Sequence, residues 1–252
     1  MLTIYTVANK KYIDYIPFFI YSINKAYPDY YIQVFCTTNT QSSIINLDFK
    51  NYELILDPYL NGKDIIFKRI LVKPHFITDY YFLTDVDIFF IKEQPDIVTQ
   101  HLKHMKVCNL DCCSNIIRPN KKINRLTLSH FVTKKYFKKL KVRDFKEQND
   151  EEYLYNLCVE SDIKLPRKEE EYNPDETTWI DYNKPLFRRH HGFHLSAIRS
   201  RNKMFLDSDL YKNYYKIYRN EIKEDKVFKN LRKEYKRIDS IFNQLENYYG
   251  KN

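Results

Sequence analysis

Two aspartates, Asp85 and Asp87, lie two positions apart inside the most hydrophobic segment of the chain, residues 79–91 (DYYFLTDVDIFFI). A carboxylate is costly to bury without a partner, so this pair needs a compensating ligand. In an extended chain, residues i and i+2 project to the same side, which would turn both carboxylates toward one divalent cation. Carboxylate oxygens, completed by water and phosphate oxygens of a ligand, are typical of Mg²⁺ or Mn²⁺ sites. The alternative is a turn at the end of a strand, in which the aspartates cap neighbouring backbone.

A histidine cluster is the second group of residues whose types and spacing could support chemistry. Three of the seven histidines fall within five residues of the segment RRHHGFH, residues 188–194. Imidazole is an effective ligand for Mn²⁺-class metals, and a nearby glycine lets the backbone approach a ligand closely. The alternative is a solvated basic turn. A zinc site is disfavoured because no cysteine has the required local spacing.

The elements that would position these side chains are indicated by apolar periodicity and turn residues. Residues 2–7 have the pattern of a buried strand, residues 16–26 that of a helix, and residues 31–37 that of a second strand. This order predicts a βαβ unit with a parallel sheet. The further predicted elements are strands at residues 52–56 and 106–113, helices at residues 64–73 and 150–160, and one or two surface helices from residue 206 onward.

The composition excludes two common nucleotide-binding motifs. The chain has 252 residues and 3 glycines, which cannot form a G-x-G-x-x-G or a G-x-x-x-x-G-K loop. Hydrophobic residues make up 43% and aromatic residues 16%, as expected of a folded protein. The five cysteines are odd in number and lack C-x-x-C spacing, which is typical of reduced, buried thiols. No signal peptide and no apolar run of ~18 residues is present, so we expect a cytoplasmic protein.

The net charge of +9 is unevenly distributed along the chain. Residues 118–143 carry ten Lys/Arg and no Asp or Glu, and residues 203–252 carry twelve Lys/Arg against eight Asp/Glu. Such segments attract nucleic acid, a phosphorylated substrate or an anionic membrane. We expect peripheral contact with the anionic inner face of a membrane, where each near-surface basic side chain contributes ~1 kcal/mol. A solvated basic face is the alternative, and nucleic acid is not expected as a partner because no recognisable binding motif supports it.

The ordered set of motifs resembles one enzyme family. The set comprises the βαβ unit, the segment FKRIL at residues 67–71, Asp85-Val86-Asp87, the segment DEEYL at residues 150–154, and the His-Gly segment. It is similar to the GT-A nucleotide-sugar glycosyltransferases, and most similar to family 8, the retaining bacterial galactosyltransferase and glycogenin type. The resemblance spans residues 1–200. It implies an α/β fold, a Rossmann-like mixed sheet flanked by helices, with residues 201–252 as a basic helical C-terminal extension.

The resemblance also implies residues that hold the donor. The end of the first strand contacts the base and ribose, with Tyr12 stacking on uracil, and Arg69 faces the donor from the following helix. The donor-binding residues implied in this way are Thr6, Val7, Ala8, Asn9, Tyr12, Arg69, Asp85, Val86, Arg188 and His194.

The metal and catalytic residues follow from the same resemblance. Asp85 and Asp87 match the metal-binding pair for Mn²⁺ or Mg²⁺, completed by His191 or His194. Asp150, with Glu151 beside it, matches the acidic segment that contacts sugar or acceptor near the reacting carbon. The family usually has H-x-x-G-x-x-K-P-W, whereas this chain has HHGFHLSAIR. Which histidine binds metal therefore stays open, and so does the choice among Arg188, Arg189 and Arg199 at the diphosphate.

The implied activity is metal-dependent transfer of a hexose from a nucleotide-diphosphate sugar, expected to be UDP-linked, with retention of configuration. The acceptor would be a hydroxyl of a bacterial surface glycan or glycolipid precursor, such as lipopolysaccharide, lipooligosaccharide or capsule. A divalent cation would stabilise the negative charge that develops on the departing diphosphate. An inverting reaction would instead require a carboxylate to deprotonate the acceptor. The alternatives are a metal-dependent phosphotransferase or nuclease and, less favoured, a nucleic-acid-binding protein.

Overall fold

A six-stranded mixed sheet lies at the centre of the computed structural model, which describes residues 1–36, 47–57, 60, 65–118, 124–142, 144, 147, 149–166 and 190–250. The strands are β1 (Leu2–Ala8), β2 (Tyr31–Cys36), β3 (Tyr52–Leu56), β4 (Tyr80–Leu83), β5 (Ile88–Phe90), β6 (Cys113–Ser114), β7 (Ile117–Arg118), β8 (Arg125–Leu126), β9 (His130–Thr133) and β10 (Gly192–His194). The sheet order is β3-β2-β1-β4-β9-β6, and the first four strands are parallel. Strand β9 is antiparallel to both of its neighbours.

Helices cover the two faces of this sheet. They are α1 (Ile16–Ala26), α2 (Ile65–Leu71), α3 (Ile97–Val107), α4 (Lys134–Lys139), α5 (Asp150–Glu160), α6 (Leu195–Arg199), α7 (Lys203–Leu206), α8 (Asp209–Ile217), α9 (Lys226–Glu234) and α10 (Lys236–Tyr249), with a 3-10 helix at Lys10–Tyr15 and a π-helix at Tyr218–Ile222. The predicted fold class, a Rossmann-like mixed sheet flanked by helices and followed by C-terminal helices, is confirmed.

The alternation of side chains along β1 explains why the sheet has two apolar cores. Ile4 belongs to the core that contains α1, whereas the next residue, Tyr5, belongs to the core that contains α5. Successive side chains of a strand point to opposite faces, so β1 is buried on both sides, as parallel strands usually are. The predicted βαβ unit is therefore present, with β1 and β2 parallel and α1 between them in sequence. Thr37, the last residue of the predicted second strand, lies outside the described residues.

The Asp85-Val86-Asp87 segment lies in a turn between β4 and β5, and not in an extended strand. The expectation that strand alternation aligns the two carboxylates is therefore wrong. The carboxylates come together because β4 ends beside β1, where Tyr5 is in register with Leu83, and the chain then turns into β5. This turn lies at the carboxyl edge of the parallel strands, where ligands of open α/β sheets bind.

The predicted strand at residues 106–113 is also wrong. Residues 106 and 107 end α3, which begins after the N-cap Asp96, and β6 starts at residue 113. Helix α3 buries Ile97, His101 and Met105, one residue per helical turn, and that spacing favours a helix over a strand. The two buried polar residues between them, Gln100 and His104, weaken the apolar signal that the sequence offers.

The C-terminal helices share the core of the sheet, which differs from the predicted surface helices. Phe228 of α9 packs edge-to-face on Phe18 of α1 with ring centroids 6.0 Å apart, and Phe242 of α10 lies 5.0 Å from Phe89 of β5. All four rings are fully buried. The boundary at residue 200 stays a prediction, and the helices beyond it are packed on the same core as α1.

Two further expectations concern the cysteines and membrane helices. All five cysteines are free, and all except the half-buried Cys108 are buried. Burial raises the pKa of the Cys158 thiol to about 12, so it stays protonated. Among the described residues, no helix combines the length and hydrophobicity that crossing a membrane requires.

Replacing Phe242 with Ala is expected to lower the free energy of unfolding by about 3 to 5 kcal/mol, because the cavity would open between α10, α1 and β5. Urea unfolding followed by circular dichroism measures this change. Lys233→Ala, at an exposed position of α9, is the control and should lie within about 0.5 kcal/mol of the wild type. Equal stabilities for both variants would contradict a shared core.

Candidate metal and donor site

A cleft of about 410 Å³ opens at the carboxyl edge of the sheet. It is walled by the end of β1, the 3-10 helix, α2, the turn after β4, and the segment from β10 to α6. The residues that line it are Val7, Asn9, Tyr12, Ile65, Ile66, Arg69, Asp85, Val86, Asp87, His194, Ser196 and Arg199. Seven of the ten predicted donor-binding residues, His194 included, are among them, and they come from five separate segments of the chain.

Asp85, Asp87 and His194 form a group that could hold a metal ion. Each offers one ligand atom, and these atoms all lie within 4.8 Å of one another. His194 reaches the aspartates because β10 pairs antiparallel with β5, with His194 opposite Ile88. The Leu195 amide then donates to the Asp87 carbonyl at 2.8 Å, which anchors the start of α6 beside the turn.

The Asp87 carboxylate is the most buried charge of this group, with 7% of its side chain exposed. It accepts a hydrogen bond from the Ser196 hydroxyl and lies 3.3 Å from His194 Nε2. Burial acts to raise the pKa of Asp87, yet the hydrogen bond and charge of His194 hold that pKa below its ordinary value. Burial likewise acts to lower the pKa of His194, but the hydrogen bond and charge of Asp87 outweigh it and raise that pKa.

Two unusual backbone positions bring β10 close to β5. His191 has a φ of 56°, in the left-handed region that residues other than glycine rarely adopt. At Gly192, a Cβ would lie 2.1 Å from the Phe89 carbonyl oxygen, so any side chain there would push the strands apart. The glycine that the sequence places inside the histidine cluster therefore has a structural role, because it permits the close approach that places His194.

Arg69 joins the metal group to the acidic helix. Its guanidinium donates to Asp85 Oδ1 at 2.8 Å and, through its other terminal nitrogen, to Asp150. Helix α2, which carries Arg69, and helix α5, which carries Asp150, are held together by an edge-to-face contact of Phe67 and Tyr153 at 5.5 Å. Burial acts to lower the pKa of Arg69, but the two carboxylates raise it, so the side chain stays charged.

Asp150 and Glu151, the predicted catalytic residues, have different partners. Asp150 is the first residue of α5, whose N-cap Asn149 accepts a hydrogen bond from the Glu152 amide at 2.9 Å. Glu151 lies 3.9 Å from Arg125 of β8. Asp150 is thus linked, through Arg69, to the metal group.

The predicted base and ribose residues divide into two sets. Val7, Asn9 and Tyr12 line the cleft. Thr6 and Ala8 are buried, with 1% exposure each, and do not line it. The Asn9 side chain caps the 3-10 helix by accepting from the Lys11 amide at 3.0 Å, which fixes the start of the segment that carries Tyr12. Partial burial and the nearby charges of the two aspartates raise the pKa of Tyr12.

His191, the other candidate metal ligand, does not join Asp85 and Asp87. Its ring is fully buried, in the turn that precedes β10. Its Nδ1 lies 2.8 Å from Glu93 Oε2 and its Nε2 lies 3.0 Å from His101 Nε2. Both ring nitrogens are therefore engaged away from the cleft, and the geometry favours His194 as the ligand.

Two polar cleft residues were given no definite role by the sequence. Ser196 lies in the first turn of α6, two residues after His194, and a hydroxyl at that spacing is the signal that could have identified it. Arg199 lines the cleft and donates to the Tyr15 hydroxyl at 3.4 Å. Arg188 and Arg189, the other candidates for the diphosphate, lie outside the described residues.

The basic segment at residues 118–143 obtains acidic partners from other parts of the chain. Three of its lysines form ion pairs across the surface of α4, namely Lys134 with Asp79 at 3.3 Å, Lys139 with Asp111 at 3.0 Å and Lys141 with Asp162 at 3.0 Å. The segment is therefore less positive in the folded protein than its own composition predicts.

The ligand atoms that Asp85, Asp87 and His194 offer are suited to a divalent cation. Two carboxylates and one imidazole leave coordination positions for water or phosphate oxygens, as Mg²⁺ and Mn²⁺ sites require. All three side chains line the cleft, so the remaining positions would face its interior.

Comparison with known proteins gives matches to solved structures at low sequence identity. No family model and no curated protein matches the chain. An active-site mutant of LgtC matches with 14% identity and a TM-score of 0.43, over 61% of this chain and 69% of LgtC. The apo form of the glycosyltransferase GlyE from Streptococcus pneumoniae TIGR4 matches with 12% identity and a TM-score of 0.45, over 99% of this chain and 63% of GlyE. The bifunctional IspDF from Campylobacter jejuni matches with 12% identity and a TM-score of 0.40, over 95% of this chain and 79% of IspDF.

The pair of Asp87 and His194 predicts a pH-dependent contribution to stability in the presence of EDTA. Because the His194 pKa is raised, its contribution is complete below the ordinary value of 6.5 and is lost as the pH rises through the folded-state pKa. Because the Asp87 pKa is lowered, its contribution is complete above 3.8 and is lost as the pH falls through the folded-state pKa. The loss of stability in His194→Asn should therefore be largest between pH 3.8 and 6.5.

Urea unfolding of the wild type and of His194→Asn across this range and into alkaline pH measures the effect. His75→Asn is the matched control, because the His75 ring is 59% exposed, does not line the cleft, and lies 3.9 Å from Glu53 in a surface pair that contributes little to stability. A stability difference that does not shrink at alkaline pH would contradict the ion pair.

Proposed function

We propose that the protein is a metal-dependent glycosyltransferase that uses a nucleotide-diphosphate sugar, with a UDP-linked donor as the first choice. The observation that carries the proposal is a cleft lined by two carboxylates, an imidazole and an arginine, in which the arginine also binds a carboxylate at the N-terminus of a neighbouring helix. Arg69 links these features by binding both Asp85 and Asp150. The resemblance of the ordered motifs to GT-A enzymes supports the same reading.

The residues of the cleft would divide the work as follows. A divalent cation, Mn²⁺ or Mg²⁺, held by Asp85, Asp87 and His194 would supply Lewis-acid stabilisation of the diphosphate charge. Arg199, on the same wall of the cleft as Ser196, is proposed to pair with the diphosphate, in the role left open by the missing lysine. Val7, Asn9 and Tyr12, which line the cleft from β1 and the 3-10 helix, would contact the base and ribose.

We propose retaining transfer because the Arg69 guanidinium holds Asp150 in place. One of its oxygens accepts a hydrogen bond from Arg69, which favours orienting the donor sugar over abstracting a proton. Glu151 lies near Arg125, and we propose that this pair faces the acceptor. The proposed acceptor is a hydroxyl of a bacterial surface glycan precursor such as lipopolysaccharide, lipooligosaccharide or capsule.

A phosphotransferase or nuclease would use the same carboxylates, and acceptor dependence separates these functions. A transferase releases nucleoside diphosphate slowly from its donor until a sugar acceptor is added. A hydrolase or nuclease turns over rapidly without one.

Asp87→Asn is expected to abolish Mn²⁺-dependent binding of UDP, because the variant loses one of the three side chains that would hold the metal, and the metal would supply the charge that attracts the diphosphate. Thermal unfolding with UDP, with and without Mn²⁺, measures this binding, since a ligand at 100 times its Kd stabilises the folded state by about 2.7 kcal/mol. The unfolding temperature of the wild type should rise more with UDP and Mn²⁺ together than with UDP alone. Turnover of a UDP-sugar by the variant should fall by at least ~100-fold.

Asp79→Asn is the matched control, because the Asp79 side chain is 63% exposed and pairs with Lys134 on the surface. It should behave as the wild type does with UDP and Mn²⁺. An Asp87→Asn variant that retains the full Mn²⁺-dependent shift would remove the metal site from the proposal.

We also propose a peripheral, cytoplasmic contact with an anionic membrane, where a glycolipid acceptor would be presented. Lys135 and Lys138 of α4 are exposed and have no acidic partner among the described residues. Reversing both charges, in Lys135→Glu with Lys138→Glu, should weaken sedimentation with anionic vesicles, since each near-surface basic residue contributes ~1 kcal/mol. Lys233→Glu on α9 is the control. Equal sedimentation with anionic and zwitterionic vesicles at low salt would contradict the membrane contact and leave the transferase proposal intact.

A further inference from the structure

Helix α8 touches the candidate metal ligand His194 from behind. The His194 backbone amide donates to the Tyr211 hydroxyl at 2.8 Å. Tyr211 is 1% exposed, and its ring packs edge-to-face on Phe193 at 5.2 Å and against Phe205 at 5.6 Å. The contact is therefore made by a ring that its apolar neighbours hold in one place.

A second contact from α8 is made with Glu93, which also contacts His191 in the turn before β10. The Tyr214 hydroxyl donates to one oxygen of Glu93, and His191 Nδ1 lies 2.8 Å from the other. Gln100 also donates to Glu93, at 2.7 Å. The Glu93 side chain is 8% exposed, and a carboxylate buried to this degree is stable in one place only if donors surround it. Glu93 thereby ties α8, α3 and His191 together.

The hydrogen-bonded chain continues from His191 into the core. His191 Nε2 lies 3.0 Å from His101 Nε2, His101 Nδ1 lies 2.7 Å from Ser114 Oγ, and His104 Nδ1 lies 2.8 Å from the same oxygen. With neutral rings, His191 donates to Glu93 and accepts from His101, which accepts from Ser114. Each ring then has one consistent orientation. Rotation of the His191 ring would break its bonds at both ends.

These contacts stabilise the position of β10, which is a short strand. It has three residues and, within the described part of the chain, pairs with β5 alone. The outward-facing amide of His194 is bonded to Tyr211 and not to another strand. The turn before it contains the strained His191, with its φ of 56°, and such a backbone persists when surrounding contacts hold it.

We propose that Tyr211 and the chain through Glu93 and His191 are positioning residues that fix β10 so that the His194 imidazole faces Asp85 and Asp87. Helix α8, which the sequence assigns to a C-terminal extension, is on this reading a supporting part of the metal site. The inference rests on the proposed metal site. Groups that orient a metal ligand from behind typically change metal affinity by 10 to 100-fold when they are removed.

Tyr211→Phe tests the proposal because it deletes a single hydroxyl and keeps the ring. Direct titration of the protein with Mn²⁺, followed by the electron paramagnetic resonance signal of free Mn²⁺, gives the Kd without any substrate. We expect the Kd to rise at least ~10-fold at a temperature at which the variant is fully folded. A role in stability alone would lower the unfolding temperature and leave that Kd unchanged.

Tyr215→Phe is the matched control on the same helix, because the Tyr215 ring stacks on Tyr249 at 4.6 Å and lies away from β10. Its Mn²⁺ Kd should equal that of the wild type. Tyr214→Phe, which leaves Tyr211 intact, is the second variant and should also raise the Kd. If Tyr211→Phe does not fold, the Kd of Tyr214→Phe decides the question.

The outcomes separate this inference from the proposed function. A wild-type protein that binds Mn²⁺ no better than Asp87→Asn overturns the metal site, and the inference with it. A wild-type protein that binds Mn²⁺ tightly, with folded Tyr211→Phe and Tyr214→Phe binding equally tightly, overturns the inference and leaves the metal site in place. A raised Kd in either folded variant, with Tyr215→Phe unchanged, supports it.

Discussion

The buried carboxylate of Asp87 is the constraint that most contacts of the candidate site satisfy. It lies in a turn after an apolar strand, with 7% of its side chain exposed, and such a charge must be compensated within the protein. His194 and Ser196 supply that compensation, and both come from a segment more than a hundred positions later in the sequence. The close pairing of β10 with β5, the glycine that permits it, and the start of α6 all serve to bring those two side chains to Asp87. Arg69 plays the corresponding role for Asp85 and extends the network to Asp150.

Local signals were sufficient for the first half of the sheet and for selecting Asp85 and Asp87 as candidate site residues. The alternation of apolar residues and the Tyr27-Pro28 stop predicted β1, α1 and β2, because these elements depend on neighbouring residues. Asp85 and Asp87 were recognisable because charge inside an apolar segment is anomalous wherever it folds. The helix at residues 150–160 was predicted with its observed limits, since acidic residues in the first turn and apolar residues at helical spacing are local signals.

The features that the sequence missed depend on contacts between distant segments. His191 and His194 are equivalent by composition, and pairing with β5 decides which one faces the aspartates. The basic segment seemed unneutralised because its acidic partners, Asp79, Asp111 and Asp162, lie outside it in the sequence. The helices after residue 206 were predicted to be surface helices because that segment is rich in charged residues and tyrosine. Their buried aromatic rings become evident once Phe18 and Phe89 are known to face them.

The shared aromatic core also affects how this protein is made. Every strand of the sheet leaves the ribosome before α9 and α10, so Phe18 and Phe89 exist for a time without Phe228 and Phe242 to cover them. Domains generally begin to fold from the N-terminus during synthesis, and apolar surface exposed in that interval is prone to aggregation. The nascent chain would therefore present an uncovered aromatic face to chaperones until its last helices are complete. Expression at a slower rate or lower temperature would act on this interval, and not on the stability of the finished fold.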